Sequence, residues 1–355
     1  GDLIYDTYLR FANKVTVDLK DPFLLEIFAK SIFATHQLQK NFGKSQIECF
    51  LTKQSAYIQH GIVTRFFLKQ KVPTYNFDNK IDYLREITSD NFYIRKNYEK
   101  YRSNFSKLKN KKFKIKISQQ LLSEKFSGKI INQEKWMPIS VYHNTKIKVN
   151  KKIRCVVFLH CFVDSPLAWG KIIFNDFHDW TIKTLDFLQE SGLEEETIIK
   201  GHPNAKEGSK EFETYLKKKY PKFVWLDKNS SNKEIFKLKP HFGLSVYGTV
   251  LHEMAYHKIY PIAAGDNPCM SFSFVKTCKN QKEYFHEIKR CIRNKPIYKP
   301  NKKEIYEMVY CNYIHDETEH DLIAKRVQLK ELMADDGKDT TALRVFIRKF
   351  NKLFL

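Results

Sequence analysis

The stretch Phe242–Pro268, FGLSVYGTVLHEMAYHKIYPIAAGDNP, decides the fold. It reads as a strand end, a small-residue turn at Gly248-Thr249 and a short helix carrying Glu253. A second strand, Ile259–Ala264, then closes on Gly265-Asp266-Asn267-Pro268. A turn that opens a helix presents free backbone N–H groups and the positive end of the helix dipole, which together seat a phosphate. Glu253 lies four residues into that helix, on a face that can turn toward a ligand, and as a buried carboxylate it needs donors such as a ribose or sugar hydroxyl.

Working outward, residues 153–204 start with an apolar strand, Ile153–Leu159, and run through His160-Cys161-Phe162-Val163-Asp164-Ser165-Pro166. A helix carrying Phe174, Asp176, Trp180 and Thr184 follows, then a strand, Thr197–Lys200, ending in Gly201-His202-Pro203-Asn204. Open α/β sheets bind ligands at the carboxyl ends of their strands, where these polar residues fall. Lys200 and His202 suit phosphate or ribose, and Pro203 fixes the turn. Ser245, Tyr247, Gly248 and Thr249 are candidates at the second turn, although hydroxyl residues also serve turns alone. Asp164 and His160 can act as a base or orient a hydroxyl. Their plain alternatives are a helix N-cap and a core histidine. Asp176, Phe177 and Trp180 read as scaffold.

These pieces resemble the bacterial capsule and surface-polysaccharide biosynthesis glycosyltransferases of the GT-B type. The matching elements are H-x-F-x-D-x-P from His160, F-x-D-F-x-x-W from Phe174, K-x-H-P from Lys200, and G-T-x-x-x-E from Gly248 with the later G-D-N-P. The likeness covers Ile153–Pro268 and extends weakly to Ser55–Tyr75, where S-A-Y-x-x-x-G-I-x-x-R places Tyr57 and Arg65 toward an acceptor-side cleft; the plain reading is a helix packed on its sheet with Arg65 snorkelling. The resemblance implies an α/β GT-B fold, two Rossmann-like domains facing across a cleft. It also implies a nucleotide-sugar donor, with CMP-linked acidic sugars such as Kdo or a sialic acid among those used, and a polysaccharide or lipid-linked glycan acceptor.

A chain of 355 residues exceeds one ordinary core, so two domains are expected. The expected division is 1–150, an acceptor-side domain with a basic helical insertion at 91–125; 151–335, the nucleotide-sugar domain; and 336–355, a C-terminal helix crossing back. In the first half, Pro22–Asn41 and Ala56–Gln70 read as helices and Ile47–Leu51 and Val72–Tyr75 as strands. The start at Gly1, without methionine, reads as the trimmed end of a longer chain. Asp2, Tyr5, Asp6 and Arg10 then form a loop at the edge of the first sheet, supplying acceptor contacts from Asp2 or a catalytic carboxylate from Asp6; the alternative is an exposed terminus. Thr340–Leu355 reads as an amphipathic helix with Leu343, Phe346, Ile347, Phe350, Leu353 and Phe354 on one face and four basic residues opposite.

The formal net charge of +22 points to anionic partners. It concentrates in Asn91–Lys152, with 17 Lys/Arg against 3 Asp/Glu, while Phe242–Pro268 is close to neutral, so the charge is expected beside the pocket rather than in it. Seven cysteines without a C-x-x-C pair read as reduced thiols, excluding a disulfide framework or zinc ribbon. No apolar run reaches the roughly 18–20 residues of a membrane span. No D-x-D pair is well placed, and His315 and His320 lack metal spacing, so no cofactor and no metal is expected. The reading is a metal-independent glycosyltransferase, cytoplasmic or peripheral on the inner face of an anionic membrane. Two alternatives remain: a non-transferase enzyme such as a sugar-nucleotide 2-epimerase, and a nucleic-acid-binding protein using the basic, aromatic 91–125 face. The second lacks any nucleic-acid motif.

Overall fold

The computed structural model describes residues 1–44, 46–78, 83–93, 97–131, 140–143 and 146–314. They form two compact units, residues 1–28 with 93–314, and residues 29–92. The elements, in chain order, are α1 (Asp2–Ala12), α2 (Pro22–Phe42), β1 (Phe50–Thr52), α3 (Tyr57–Lys69), β2 (Thr74–Asp78), β3 (Tyr83–Ile87), α4 (Tyr101–Lys107) and α5 (Lys111–Phe126). There follow β4 (Cys155–Phe158), α6 (Phe177–Glu190), β5 (Thr197–Lys200), α7 (Glu207–Lys219), β6 (Val224–Leu226), α8 (Asn232–Lys237), β7 (Phe242–Ser245), α9 (Val250–Tyr256), β8 (Tyr260–Ala263), β9 (Lys276–Thr277), α10 (Gln281–Arg293) and α11 (Lys302–Tyr313).

The larger unit is built on a parallel sheet of order β6-β5-β4-β7-β8-β9. Counted within the sheet this is 3-2-1-4-5-6, the doubly wound order of a Rossmann fold. Strands β4, β5 and β7 are buried along their whole length, as apolar strands covered on both faces must be. Their side chains alternate between two cores. Cys155 and Val157 face Trp180 and Leu185 of α6, Leu216 of α7 and Tyr284 and Ile288 of α10. Val156 and Phe158 face Ile235 and Phe236 of α8, Met254 of α9 and Met308 of α11. At Gly243 a Cβ would stand 2.1 Å from the Met254 sulfur, so the absent side chain lets α9 lie against β7. Asp176 caps α6 by accepting from Asp179 N–H at 2.6 Å, the scaffold role expected for it.

Helices α4 and α5 join this second core through Tyr101, Phe105 and Leu122, all at most 2% exposed. Compactness therefore divides the chain around residue 93 rather than at 150. The reason lies in the Lys-rich run itself: most of its lysines face water while Tyr98, Tyr101, Phe105 and Leu122 are buried, with Lys125 buried and Phe113 exposed as departures from that pattern. Tyr98, Tyr101 and Phe105 are buried and offer no stacking surface to a nucleic acid, while Phe113 of the same run is exposed.

The N-terminal segment is a helix, not the expected loop, and it belongs to the larger unit. Tyr8 and Leu9 are fully buried, Tyr5 hydrogen-bonds Asp176, and Leu167 N–H donates to Asp6 at 3.2 Å. An isolated helix of eleven residues is marginal in water, so its sequence signal is weak and tertiary packing makes it. In the smaller unit β1 and β2 are parallel and joined by α3, while β3 returns antiparallel to β2. Phe67 of α3 packs on Phe42 and Phe50. On α2, Ile27 is buried, whereas Phe28, Ile32 and Phe33 are exposed. The expected helix Thr340–Leu355, together with His315 and His320, lies outside the described residues.

The attachment of α1 is testable at Gly208 of α7, where a Cβ would meet the Asn13 carbonyl oxygen at 2.2 Å. Backbone cannot step aside as a flexible side chain can, so Gly208→Ala is expected to lower unfolding free energy by about 1–3 kcal/mol. Urea denaturation measures this; an unchanged midpoint would mean that α1 is not seated as described.

Candidate functional site

The carboxyl ends of β4 and β7 meet where the strand order reverses, the position at which open α/β sheets take ligands. A cavity of about 500 Å³ opens there. Its walls come from residues 158–164 after β4, 200–206 after β5 and 245–250 after β7. The structure thus brings together His160, Asp164, Lys200, His202, Pro203, Ser245, Tyr247, Gly248, Thr249 and Glu253, distant in sequence, in one lining. Asp2 and Asp6 are not part of it. Tyr57 and Arg65 belong to the smaller unit, where the Arg65 guanidinium lies 4.3 Å from the centre of the Phe92 ring.

Each lining group is set by its neighbours. The His160 ring stacks on Phe177, and its Nε2 accepts Val246 N–H at 3.1 Å, with Ser245 Oγ at 3.2 Å. Burial, helped by nearby His202, lowers its pKa to about 3, so the ring is neutral with Nε2 already engaged. His160 is therefore a clamp between the ends of β4 and β7, not a base. The Tyr247 hydroxyl lies 2.7 Å from Pro166 O and 3.0 Å from Gly170 O, holding the 166–170 loop rather than facing a ligand. His202 accepts Asn204 N–H on Nδ1 at 3.2 Å, and burial lowers its pKa to about 4. The neutral ring then carries its proton on Nε2, as a donor. The Thr249 hydroxyl makes no hydrogen bond among the described residues. Helix α9 spans only seven residues, so its dipole gives the phosphate seat expected at its start little support.

Glu253 has donors, but they are the chain's own. Lys125 Nζ stands 2.8 Å from one carboxylate oxygen; Tyr142 OH at 2.8 Å and Asn232 Nδ2 at 3.1 Å donate to the other. Both members of the ion pair are at most 3% exposed. Burial alone would raise the carboxyl, but Lys125, His252 and Tyr142 outweigh it and hold the pKa at about 2. Glu253 thus fixes the inner wall instead of awaiting a sugar hydroxyl. Sequence reasoning missed its partners because Lys125 looks like any other residue of a Lys-rich run and Tyr142 lies in an irregular segment.

Lys200 is the contrast. It is 2% exposed and lines the cavity, yet its ammonium makes no hydrogen bond and no ion pair among the described residues. Burial lowers its pKa to about 8 against the distant attraction of Glu253, Asp227 and Glu213, so at neutral pH it remains mostly charged. In all, four cationic side chains, Arg10, Lys125, Lys200 and Lys206, line the cavity against the carboxylates Asp164 and Glu253. The positive charge lies in the pocket, not only beside it, because all four of those cations come from outside Phe242–Pro268.

Asp164 stands at the open end, its side chain 43% exposed and 3.9 Å from the Arg10 guanidinium. Asp6 lies behind the 166–170 loop, holding Leu167 N–H. Burial raises it to about 8, opposed by that hydrogen bond and aided by the charges of Asp2 and Asp164. Among the described residues no group of three or more His, Cys, Asp or Glu is placed to hold a metal ion, and no helix is long and apolar enough to cross a membrane.

No protein-family model matches the chain, and no curated protein is similar enough to match. Among solved structures it is similar to the UDP-GlcNAc 2-epimerase of Methanocaldococcus jannaschii, in complex with UDP-GlcNAc and UDP. That similarity has 13% identity and a TM-score of 0.34, over 80% of this chain and 79% of that one. It is also similar to the Thermosulfurimonas dismutans KpsC, a beta Kdo 2,4 transferase, with 9% identity and a TM-score of 0.38, over 74% of this chain and 78% of that one. The chemistry of the site is read from its own residues.

Breaking a buried ion pair strands a charge and costs about 3–5 kcal/mol. Glu253→Ala is expected to destabilise by that amount, and adding Lys125→Met should recover part of the loss. Denaturation of the single and double variants measures this; a fully stable Glu253→Ala would contradict the closed network.

Proposed function

We propose that this chain is a glycosyltransferase that moves a sugar from a nucleotide-activated donor to a capsule or other surface-polysaccharide acceptor. The observation that carries the reading is Lys200, a buried cation with no hydrogen bond or ion pair among the described residues, in a cavity at the switch point of a 3-2-1-4-5-6 sheet. A charge left unpaired in a protein interior is expensive, and an anionic ligand supplies the missing partner. The sequence likeness supports reading that anion as the phosphate of a nucleotide sugar, with a CMP-linked acidic sugar as one candidate.

In this mechanism the donor phosphate sits on Lys200 and the Nε2–H of His202, with the Thr249 hydroxyl as a further donor. An acceptor hydroxyl enters at the open end beside Asp164. Asp164 takes the hydroxyl proton as the oxygen bonds to the anomeric carbon, and the bond from that carbon to the phosphate oxygen breaks. The charge gained by the leaving nucleotide falls on Lys200, so cationic side chains do the work a metal does in other transferases. Asp164 is preferred to His160 and Asp6 because His160 Nε2 is engaged and Asp6 lies outside the cavity. Among the described residues, its exposure also favours transfer to an outside acceptor over epimerisation of an enclosed donor.

Lys200→Met keeps the length of the side chain and removes the charge. Calorimetry with CMP and UDP is expected to show affinity for the preferred nucleotide falling roughly ten- to over a hundredfold, the loss of about 1.5–3 kcal/mol from a charged hydrogen bond. The melting temperature should hold or rise, because a costly buried charge has gone. In the wild type, affinity should be full well below pH 8 and fall as pH rises through about 8, where Lys200 loses its proton. Unchanged affinity in Lys200→Met would overturn the seat.

A further inference from the structure

The lining of the cavity is graded. Lys125, Lys200 and Glu253 at its inner end are all but fully buried, whereas Arg10, Asp164 and Trp169 at its mouth are 31%, 43% and 39% exposed. Trp169 differs from the other described tryptophans. Trp180 Nε1–H donates to Tyr284 OH and Trp225 Nε1–H to Tyr220 O, both at 2.9 Å. The Trp169 indole makes no hydrogen bond, ring contact or cation–π contact among the described residues.

Its backbone, by contrast, is fixed. Tyr247 OH reaches the carbonyls on both sides of it, at Pro166 and Gly170. Leu167 N–H is held by Asp6, and Lys171 N–H donates to Asp266 at 3.0 Å. At Gly170 φ is +143°, a conformation open to glycine, so the loop turns sharply right after the indole. A partly exposed indole at the rim of a cavity, carried on a backbone fixed in advance, lowers the ordering cost of a ligand that packs on it.

We propose that Trp169, which shares the cavity lining with Arg10 and Asp164, is a pyranose-binding subsite. The electron-rich face of an indole attracts the C–H groups on the apolar face of a sugar ring. The guanidinium of Arg10 donates to ring hydroxyls and the carboxylate of Asp164 accepts from them, which fixes orientation. Arg10 and Asp164 stand 3.9 Å apart, and Asp164 Oδ1 accepts Ser165 N–H at 3.0 Å, so the carboxylate is positioned by its own loop at the cavity lining. A pyranose can come from the donor or from the acceptor glycan. The donor case rests on the nucleotide-sugar reading above; the glycan case does not.

The test compares wild type, Trp169→Ala and Trp169→Phe. Calorimetry is run with CMP, UDP, CMP-sialic acid and UDP-GlcNAc, and saturation-transfer NMR with a free N-acetylglucosamine trisaccharide and a free sialic acid trisaccharide. Trp169→Ala is expected to weaken the preferred nucleotide sugar at least tenfold and its bare nucleotide less than twofold, with Trp169→Phe retaining most of the affinity. Loss of only the trisaccharide signals supports the subsite and assigns it to the acceptor. Equal weakening of bare nucleotide and nucleotide sugar would place the base on the indole and overturn the proposal. So would unchanged binding of every sugar probe. If the wild type binds no nucleotide or nucleotide sugar, the donor reading fails by itself. The trisaccharide arm then decides: signals lost in Trp169→Ala uphold the subsite, and absent or unchanged signals overturn it.

Discussion

Two buried lysines line one cavity, and a single buried carboxylate is within reach of only one of them. Glu253 lies 2.8 Å from Lys125 and satisfies it, together with Tyr142 and Asn232. Lys200, just as buried, is left with long-range attraction alone. Everything else at the site follows from this imbalance. The paired lysine ties α5, α9, α8 and the segment around Tyr142 into a stable inner wall. The unpaired one makes that wall attractive to an anion, and its depressed pKa is the mark of an interior that has not been neutralised.

The scaffold makes the imbalance sustainable. A parallel sheet covered on both faces gives rigid strand ends, and the reversal of strand order between β4 and β7 opens a crevice that no crossover fills. His160 bridges the crevice, fixing the ends of both strands by accepting Val246 N–H. Around this frame the loops divide the labour. The turn after β5 supplies Lys200 and His202, the turn after β7 supplies Thr249, and the loop after β4 carries Asp164 and Trp169 to solvent. Helix α1 supports that last loop from behind through Asp6 and adds Arg10 at the mouth.

Much of this was legible in the sequence where the pattern is local. The alternation of strand and helix from 153 to 264 appears with boundaries shifted by a few residues, because continuous apolar strands and Gly or Asp punctuation are strong signals. The residues after β4, β5 and β7 were named as candidates for the same reason, and they line one cavity. The rest depends on distant partners. Nothing in GDLIYDTYLR announces a helix, since its stability comes from Asp176, Leu167 and the backbone contact at Gly208. Lys125 cannot be told from its exposed neighbours until Glu253 is placed beside it. Likewise Glu253 and His160 look like ligand groups in sequence, and only geometry shows that the protein has already engaged them. Trp169 gave no signal, because a lone aromatic in a loop has no periodicity to read.

Lys200 is a buried ammonium with no hydrogen bond or ion pair among the described residues, and the proposed function gives it an anion as partner. The most direct measurement follows its titration by NMR of 13C-labelled lysine side chains, with the Lys200 signal identified by its absence in Lys200→Met. The account predicts a pKa near 8 in the free protein and a clear rise when CMP or UDP binds, since an adjacent phosphate favours the charged form. A free-protein value at the ordinary lysine level, unmoved by any nucleotide, would contradict it.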